Sequence, residues 1–279
     1  MKKIGFVDYY ISEWHANNYP AWIANACEEM GLDYKVAYAY AEEYVSPYDG
    51  RNTDEWCRDF GVERCDSIKE LSEKSDVIIV LAPSNPEKHL GYVKEVFRHA
   101  KLTYVDKTFA PDLKTAVEMF NIAKEYGTPF FTSSALRYAT ELEKIDTVNG
   151  VFTTGGGSNL PEYIIHQVEM VVKLMGKAQR LCASKNDGKT VFNLVYADGR
   201  TAEMAYAPDL SFCVKSAGDE EYTGISSPFF DGLIRDVMRF FETGVTSFSG
   251  DETLEVMRMR EAAILAAERP GEWIELDNI

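Results

Sequence analysis

Six consecutive apolar residues, Val77-Ile78-Ile79-Val80-Leu81-Ala82, constrain the fold more than any other stretch of the chain. Ser75-Asp76 precede them and Pro83-Ser84-Asn85-Pro86 follow. A short run without polar alternation suits a strand covered on both faces, as in a parallel sheet. Leu90, Val93, Val96 and Phe97 then recur at helical spacing, ending near His99-Ala100. A second β-type run, Leu102-Thr103-Tyr104-Val105, stops at Asp106-Lys107. This strand–helix–strand unit puts Lys107 just past the carboxyl end of a buried strand, the edge at which open α/β sheets bind ligands. From position alone, Lys107 reads equally well as a reacting group and as a solvated surface lysine.

The same alternation runs through the first half. Residues 3–8 (KIGFVD) predict a first buried strand, and Ala21–Met30 a helix closed by Gly31 as a left-handed cap. Tyr34–Tyr40 reads as a second strand and Asp54–Phe60 as a helix ending at Gly61. Ser67 with Glu70 three residues on is a capping box. Leu113–Tyr126 is a helix stopped by Gly127, and Pro129–Thr132 a further strand. Repeated β-α-β order means a doubly wound parallel sheet. The second half differs. Val151–Thr154 is broken by Gly155-Gly156-Gly157, and Pro161–Met175 is a helix. Four β-rich runs follow (180–184, 190–196, 201–206, 211–215), with a hairpin signal at Ala197-Asp198-Gly199-Arg200. Helices over 229–242 and 252–268 and a last strand at 273–276 complete it. The fold class expected is therefore α/β: an N-terminal Rossmann-like domain over residues 1–130, then a C-terminal α+β domain over 131–279 built on a mainly antiparallel sheet. Phe192, Leu194 and Tyr196, with Met204 and Tyr206, predict an apolar sheet face left for a second copy of the chain.

A net charge of −16 disfavours nucleic acid and anionic membrane as partners, since phosphates would be repelled. The five cysteines (27, 57, 65, 182, 213) are scattered without a C-x-x-C pair, which suits reduced thiols rather than disulfides or a zinc site. No metal site is expected. MKKIGFVDYY has no apolar signal region and no run is long enough to span a bilayer, so the expectation is a cytoplasmic protein.

Taken in order, KIGFVD, DVIIVLAPSNPEKH, TYVDKTFAPDLKTAVEMFNIAKEYG, ALRY and PEYIIH resemble the glucose–fructose oxidoreductase / inositol dehydrogenase / MocA (Gfo/Idh/MocA) family. Ala82-Pro83 and His89 match its apolar strand ending in Thr-Pro with a downstream histidine. Asp106-Lys107-Thr108 matches its Glu-Lys-Pro, and Glu162 with His166 its Asp-x-x-x-His. The resemblance covers nearly the whole chain, including the closing helix pair. It implies an oxidoreductase dependent on NAD or NADP, acting on a sugar, cyclitol or related polyol, and assembled as a homo-dimer or homo-tetramer. It makes Lys107 the group at the reacting carbon, His166 the acid–base for the hydroxyl and Glu162 its neighbour one turn earlier. An imidazole near its ordinary pKa suits that role, and a cationic lysine can stabilise a developing alkoxide.

The first turn departs from the family. Asp8, Tyr10 and Glu13 occupy the three positions of the G-x-G-x-x-G signature, where glycine permits a tight turn and close approach of a pyrophosphate. Each carboxylate at ~4 Å from a phosphate costs several kcal/mol at an effective dielectric near 20. Ala39-Tyr40-Ala41 stands where a ribose-binding acid is expected, with Glu42 and Glu43 just beyond. Either the dinucleotide binds in an altered way or this chain has dropped it; an epimerase, isomerase or lyase, or a binding subunit, is then the alternative. By position, the cofactor candidates are Asp8, Tyr10, Ala82, Pro83, His89 and Asp106. The stretch from Asp8 to Trp22 is rich in aromatics and hydrogen-bonding groups, which suits a sugar site as well as a plug over a vacant groove. Trp14 and His15 are its substrate candidates, joined by Arg137 and Tyr163.

Overall fold

Strands β1 (Lys2–Asp8), β2 (Tyr34–Ala41), β3 (Glu63–Arg64), β4 (Val77–Val80), β5 (Thr103–Val105) and β6 (Phe130–Phe131) join in the order β3-β2-β1-β4-β5-β6. Every pairing is parallel. The computed structural model, which describes residues Met1–Ile279, thus carries the doubly wound sheet expected from the sequence. All four residues of β4 are buried, as a strand covered on both faces requires. The connecting helices are α1 (Trp14–Met30), α2 (Thr53–Phe60), α3 (Ile68–Lys74), α4 (Pro86–Val96) and α5 (Leu113–Tyr126). Left-handed glycines end α1, α2 and α5. The strand order reverses between β1 and β4, so the ligand crevice of such a sheet lies beyond Asp8 and Leu81-Ala82.

One boundary differs by two turns. The helix expected from Ala21 begins at Trp14, with Pro20 inside it. Proline reads as a boundary because it lacks a donor and crowds the preceding turn. Here His15, Ala16, Tyr19, Ile23, Ala26 and Cys27 line up as one buried stripe, and its burial outweighs the lost bond.

The second sheet contains β7 (Gly150–Gly155), β8 (Arg180–Asn186), β9 (Lys189–Val195), β10 (Thr201–Tyr206), β11 (Cys213–Ser216), β12 (Thr223–Gly224) and β13 (Trp273–Glu275). Their order is β12-β11-β7-β10-β9-β8-β13. Only β7 and β10 pair in parallel; the other pairings are antiparallel. Helices α6 (Leu160–Met175), α7 (Phe229–Thr243) and α8 (Gly250–Glu268) complete the chain. Phe192, Leu194, Tyr196, Met204 and Tyr206 are buried in one core with Ile164 and Val168 of α6 and Val256 and Met259 of α8. The apolar face inferred for a second copy is therefore this unit's own core. Its opposite alternates, such as Val191, Asn193, Glu203 and Ala205, are the partly exposed set. Strand period alone cannot say which face a helix will cover.

The chain forms two compact units: Met1–Ser133 with Leu233–Ser249, and Ser134–Gly232 with Gly250–Ile279. The sequence-based boundary at 130/131 lies close to the first crossover but does not foresee the return of Leu233–Ser249. That segment returns because Phe240 and Phe241 are apolar on the side that meets Phe131 and Tyr34, at ring distances of 5.1 and 6.4 Å.

Gly150 opens β7 at φ 116°, and an added Cβ would lie 1.9 Å from the Thr201 carbonyl oxygen across the β7–β10 pairing. Gly150→Ala therefore forces the two strands apart and should lower stability by about 2–4 kcal/mol. Chemical denaturation will read this as a lower midpoint with an unchanged slope; an unchanged midpoint would contradict the tight register described here.

Candidate active site

The first unit gathers its polar residues at the carboxyl edge of the parallel sheet. Asp106, immediately after β5, is fully buried and accepts from four donors. These are His15 Nδ1–H, the Tyr19 and Tyr104 hydroxyls at 3.3 Å, and the Lys107 amide at 2.8 Å. The Tyr19 ring stacks on His15 at 5.2 Å and fixes the imidazole plane. Burial alone would raise the Asp106 carboxyl, but the neighbouring His15 imidazole and these donors hold it below its ordinary value. Lys107 is half-buried, with Nζ 3.5 Å from the Pro83 carbonyl oxygen. The peptide bond between Lys107 and Thr108 is cis.

Asp8 ends β1 and is 1% exposed. Its Oδ1 accepts the amides of Tyr9 at 2.7 Å and Ala82 at 3.0 Å, spanning the β1–β4 switch point. Its Oδ2 is buried with no partner. Burial, and then the Glu13 charge, push the Asp8 carboxyl well above its ordinary value. Glu13 is the N-cap of α1: its carboxylate accepts the His15 amide at 2.8 Å and also the Ala16 amide. Burial raises this carboxyl too, against the pull of His15 and the two amides. The turn before it is buried at Ile11 and Ser12. Ser12 donates to Asp49 Oδ2 at 2.7 Å, and the Ser46 hydroxyl donates to the Ser12 carbonyl at 2.6 Å. Tyr10 is half-buried beside Tyr9, and Trp14 is 47% exposed, meeting His15 and Trp22 edge-on.

His89 is fully buried, its two ring nitrogens facing the carbonyl oxygens of Leu81 and Phe109. It pins the end of β4 to the segment after β5. Ala82 (φ 66°) and Pro83 are buried at that same end.

In the second unit, His166 lies on α6 with Nδ1 2.7 Å from Ser134 Oγ and its ring edge-on to Tyr163 and Phe212. Asn159 caps this helix through the Glu162 amide, and the Glu162 carboxylate accepts Asn159 Nδ2, both at 3.0 Å. The glycine run bends β7 back towards α6: the Gly157 carbonyl accepts the Tyr206 hydroxyl, and a Cβ there would lie 2.1 Å from the Tyr163 ring. Arg137 is buried between Glu169 of α6 and Glu252 of α8. Ser134, Tyr19, Tyr104 and the capping role of Glu13 are absent from the sequence reading. Glutamate is not a favoured N-cap, and the others become partners only through tertiary contacts.

Residues 41–134 match the profile of an oxidoreductase family with an NAD-binding Rossmann fold, Gfo/Idh/MocA. The likeness to that family rests on this stretch, about a third of the chain. No curated protein matches the sequence. Solved structures match across almost its full length. An oxidoreductase from Thermotoga maritima has a TM-score of 0.75 at 12% identity, with 99% of both chains covered. An Agrobacterium radiobacter oxidoreductase, solved with NAD+, L-tartaric acid and magnesium, gives 0.75 at 14%, again over 99% of both. GenD2 from gentamicin A biosynthesis, solved with NAD, gives 0.74 at 13%, over 99% of this chain and 97% of its own. At such identities the likeness is one of fold. No helix is long and apolar enough to cross a membrane.

The family model that matches residues 41–134 describes an NAD-binding fold, but the first turn here does not fit a pyrophosphate. Two amides of α1's first turn that would hold an anion donate to Glu13, and Asp8 sets a second buried acid on the same edge.

The unpartnered Asp8 oxygen generates a pH prediction. A carboxyl whose folded pKa is raised stabilises the fold below its ordinary value of 3.8 and loses that contribution as pH rises through the folded value. Asp8→Asn keeps the oxygen that accepts Tyr9 and Ala82 and removes the charge. It should therefore gain about 1–3 kcal/mol over the parent chain at pH 7, with the gain vanishing towards pH 4. Denaturant titrations at the two pH values measure it; a gain that grows with acidity would contradict the sign.

Proposed function

We propose that this chain is an enzyme of the oxidoreductase class acting at a hydroxyl-bearing carbon of a sugar, cyclitol or related polyol. Lys107 and His166 are its proton-handling groups. The observation that carries the reading is a lysine fixed at the carboxyl edge of a family Rossmann sheet, its backbone held by the buried Asp106. In the second unit, His166 is oriented by Ser134 between two aromatic edges, a setting that suits the apolar face and hydroxyls of a carbohydrate. In an oxidation, NAD(P)+ taken up as a co-substrate would accept the hydride from the carbon; His166 is the candidate for the hydroxyl proton, and the Lys107 ammonium is suited to stabilising charge that develops on an oxygen. Trp14 and Tyr163 are the aromatic candidates for substrate contact. Arg137 and Glu162 act through the helices they pair with or cap. By resemblance, the enzyme is a cytoplasmic homo-dimer or homo-tetramer.

The cap formed by Glu13 favours a second reading. The same groups then move protons only, as in an epimerase, isomerase or lyase, or the chain serves as a binding subunit.

A panel of sugars and cyclitols, incubated in deuterated water with and without NAD+ or NADP+, separates these. Reduced nicotinamide reports oxidation, and deuterium on carbon reports proton transfer. His166→Asn and Lys107→Ala should each lower turnover about 100-fold or more, with unchanged thermal unfolding. Variants that keep full activity would remove both residues from the mechanism.

A further inference from the structure

A dinucleotide in a doubly wound sheet needs three things at the switch point: a turn that lets backbone approach the pyrophosphate, unsatisfied amides at the following helix start, and a group for the ribose. In this chain each place has an occupant of its own. The α1 start is filled by the Glu13 carboxylate, 6% exposed, on the His15 and Ala16 amides. The turn is filled by Ile11 and Ser12 and locked by Asp49 and Ser46. Asp8 bridges β1 to the Ala82 amide across the switch point itself. Glu42, just past β2, is bound by Lys88 Nζ at 2.6 Å and the Tyr92 hydroxyl at 2.8 Å. That lysine also lies over the Tyr9 ring at 4.3 Å.

We propose that the dinucleotide edge of this chain is self-liganded: the Glu13 carboxylate stands where a pyrophosphate would, so NAD(P) is not a resident cofactor. Carboxylate and phosphate are both anions that accept amide hydrogens, and α1 can serve one of them at a time. Repulsion from Asp8 and Glu13 adds to the loss of donors. Any oxidoreduction by this chain would then use NAD(P) as a loosely held, exchangeable co-substrate.

The test is binding to the full-length chain, by calorimetry with NADH, NADPH and ADP. The parent chain should show no saturation below about the millimolar range, as expected when a micromolar site loses its phosphate contacts. Glu13→Gly frees both amides and removes a charge, and should bind ADP and NADH at least about ten-fold more tightly. Glu13→Gln keeps an oxygen for the same amides and so protects the fold; losing the charge should still tighten ADP about three-fold. Amide exchange supplies a second readout. His15 and Ala16 should be protected in the parent chain whether or not ADP is added, and in Glu13→Gly protected only with ADP. Low-micromolar NADH binding by the parent chain would overturn the proposal, as would a Glu13→Gln chain that binds ADP no better. Because the readout is binding, a chain inert towards every polyol would remove the proposed activity and leave this inference intact.

Discussion

The first unit depends on one buried carboxylate. Asp106 receives donors from α1, from the end of β5 and from the next residue's backbone, so it fixes both the sheet edge and the helix start facing it. Leaving such a group without its partner costs about 3–5 kcal/mol in a protein interior. The Lys107 amide is one of its donors, and so the position of the lysine follows from the packing beneath it. His15 is held from two sides, by the carboxylate and by the stacked Tyr19 ring. A side chain locked in this way gives the first turn of α1 a single arrangement.

Close by, the same physics has the opposite outcome. Asp8 and Glu13 are also buried, but Asp8 faces the Glu13 and Asp106 charges instead of an imidazole, and the pull of His15 on Glu13 does not offset burial, so their carboxyls are pushed up instead of down. Three acids within one sheet edge thus divide into one held below its ordinary value and two held above theirs. The second unit manages its buried charge differently. Arg137 faces Glu169 and Glu252, and the Lys173 ammonium donates to the Arg137 carbonyl at 2.7 Å, so α6 and α8 are joined through polar groups as well as the apolar core.

The parallel sheet was legible because its signals are local: Val77–Val80 is apolar without alternation, and Gly31, Gly61 and Gly127 stop their helices where left-handed residues are needed. The hairpins of the second sheet were legible for the same reason. What escaped is what tertiary contact decides. Pro20 hides the start of α1 because a buried stripe overrides a local preference. Phe192 and Leu194 face the core because two distant helices cover that side. Among the candidate residues, Lys107 and His166 carry motifs and were named, whereas Ser134 and the cap made by Glu13 depend on which amide or ring comes within reach. The absence of glycine at positions 8, 10 and 13 was visible in the sequence; what replaces the anion was not.

The return of Leu233–Ser249 to the first unit bears on how the protein is made. A ribosome delivers β1 to β6 long before α7, so the nascent parallel sheet exists for a time without the segment that carries Phe240 and Phe241. During that interval Phe131 is uncovered, the Tyr34 hydroxyl lacks the Phe241 carbonyl that it reaches at 3.1 Å, and Lys2 lacks Glu242. Domains that are contiguous in sequence can finish folding in order of synthesis. Here the first to begin is closed by residues translated after most of the second, and a nascent chain stalled before them exposes an aromatic surface to chaperones.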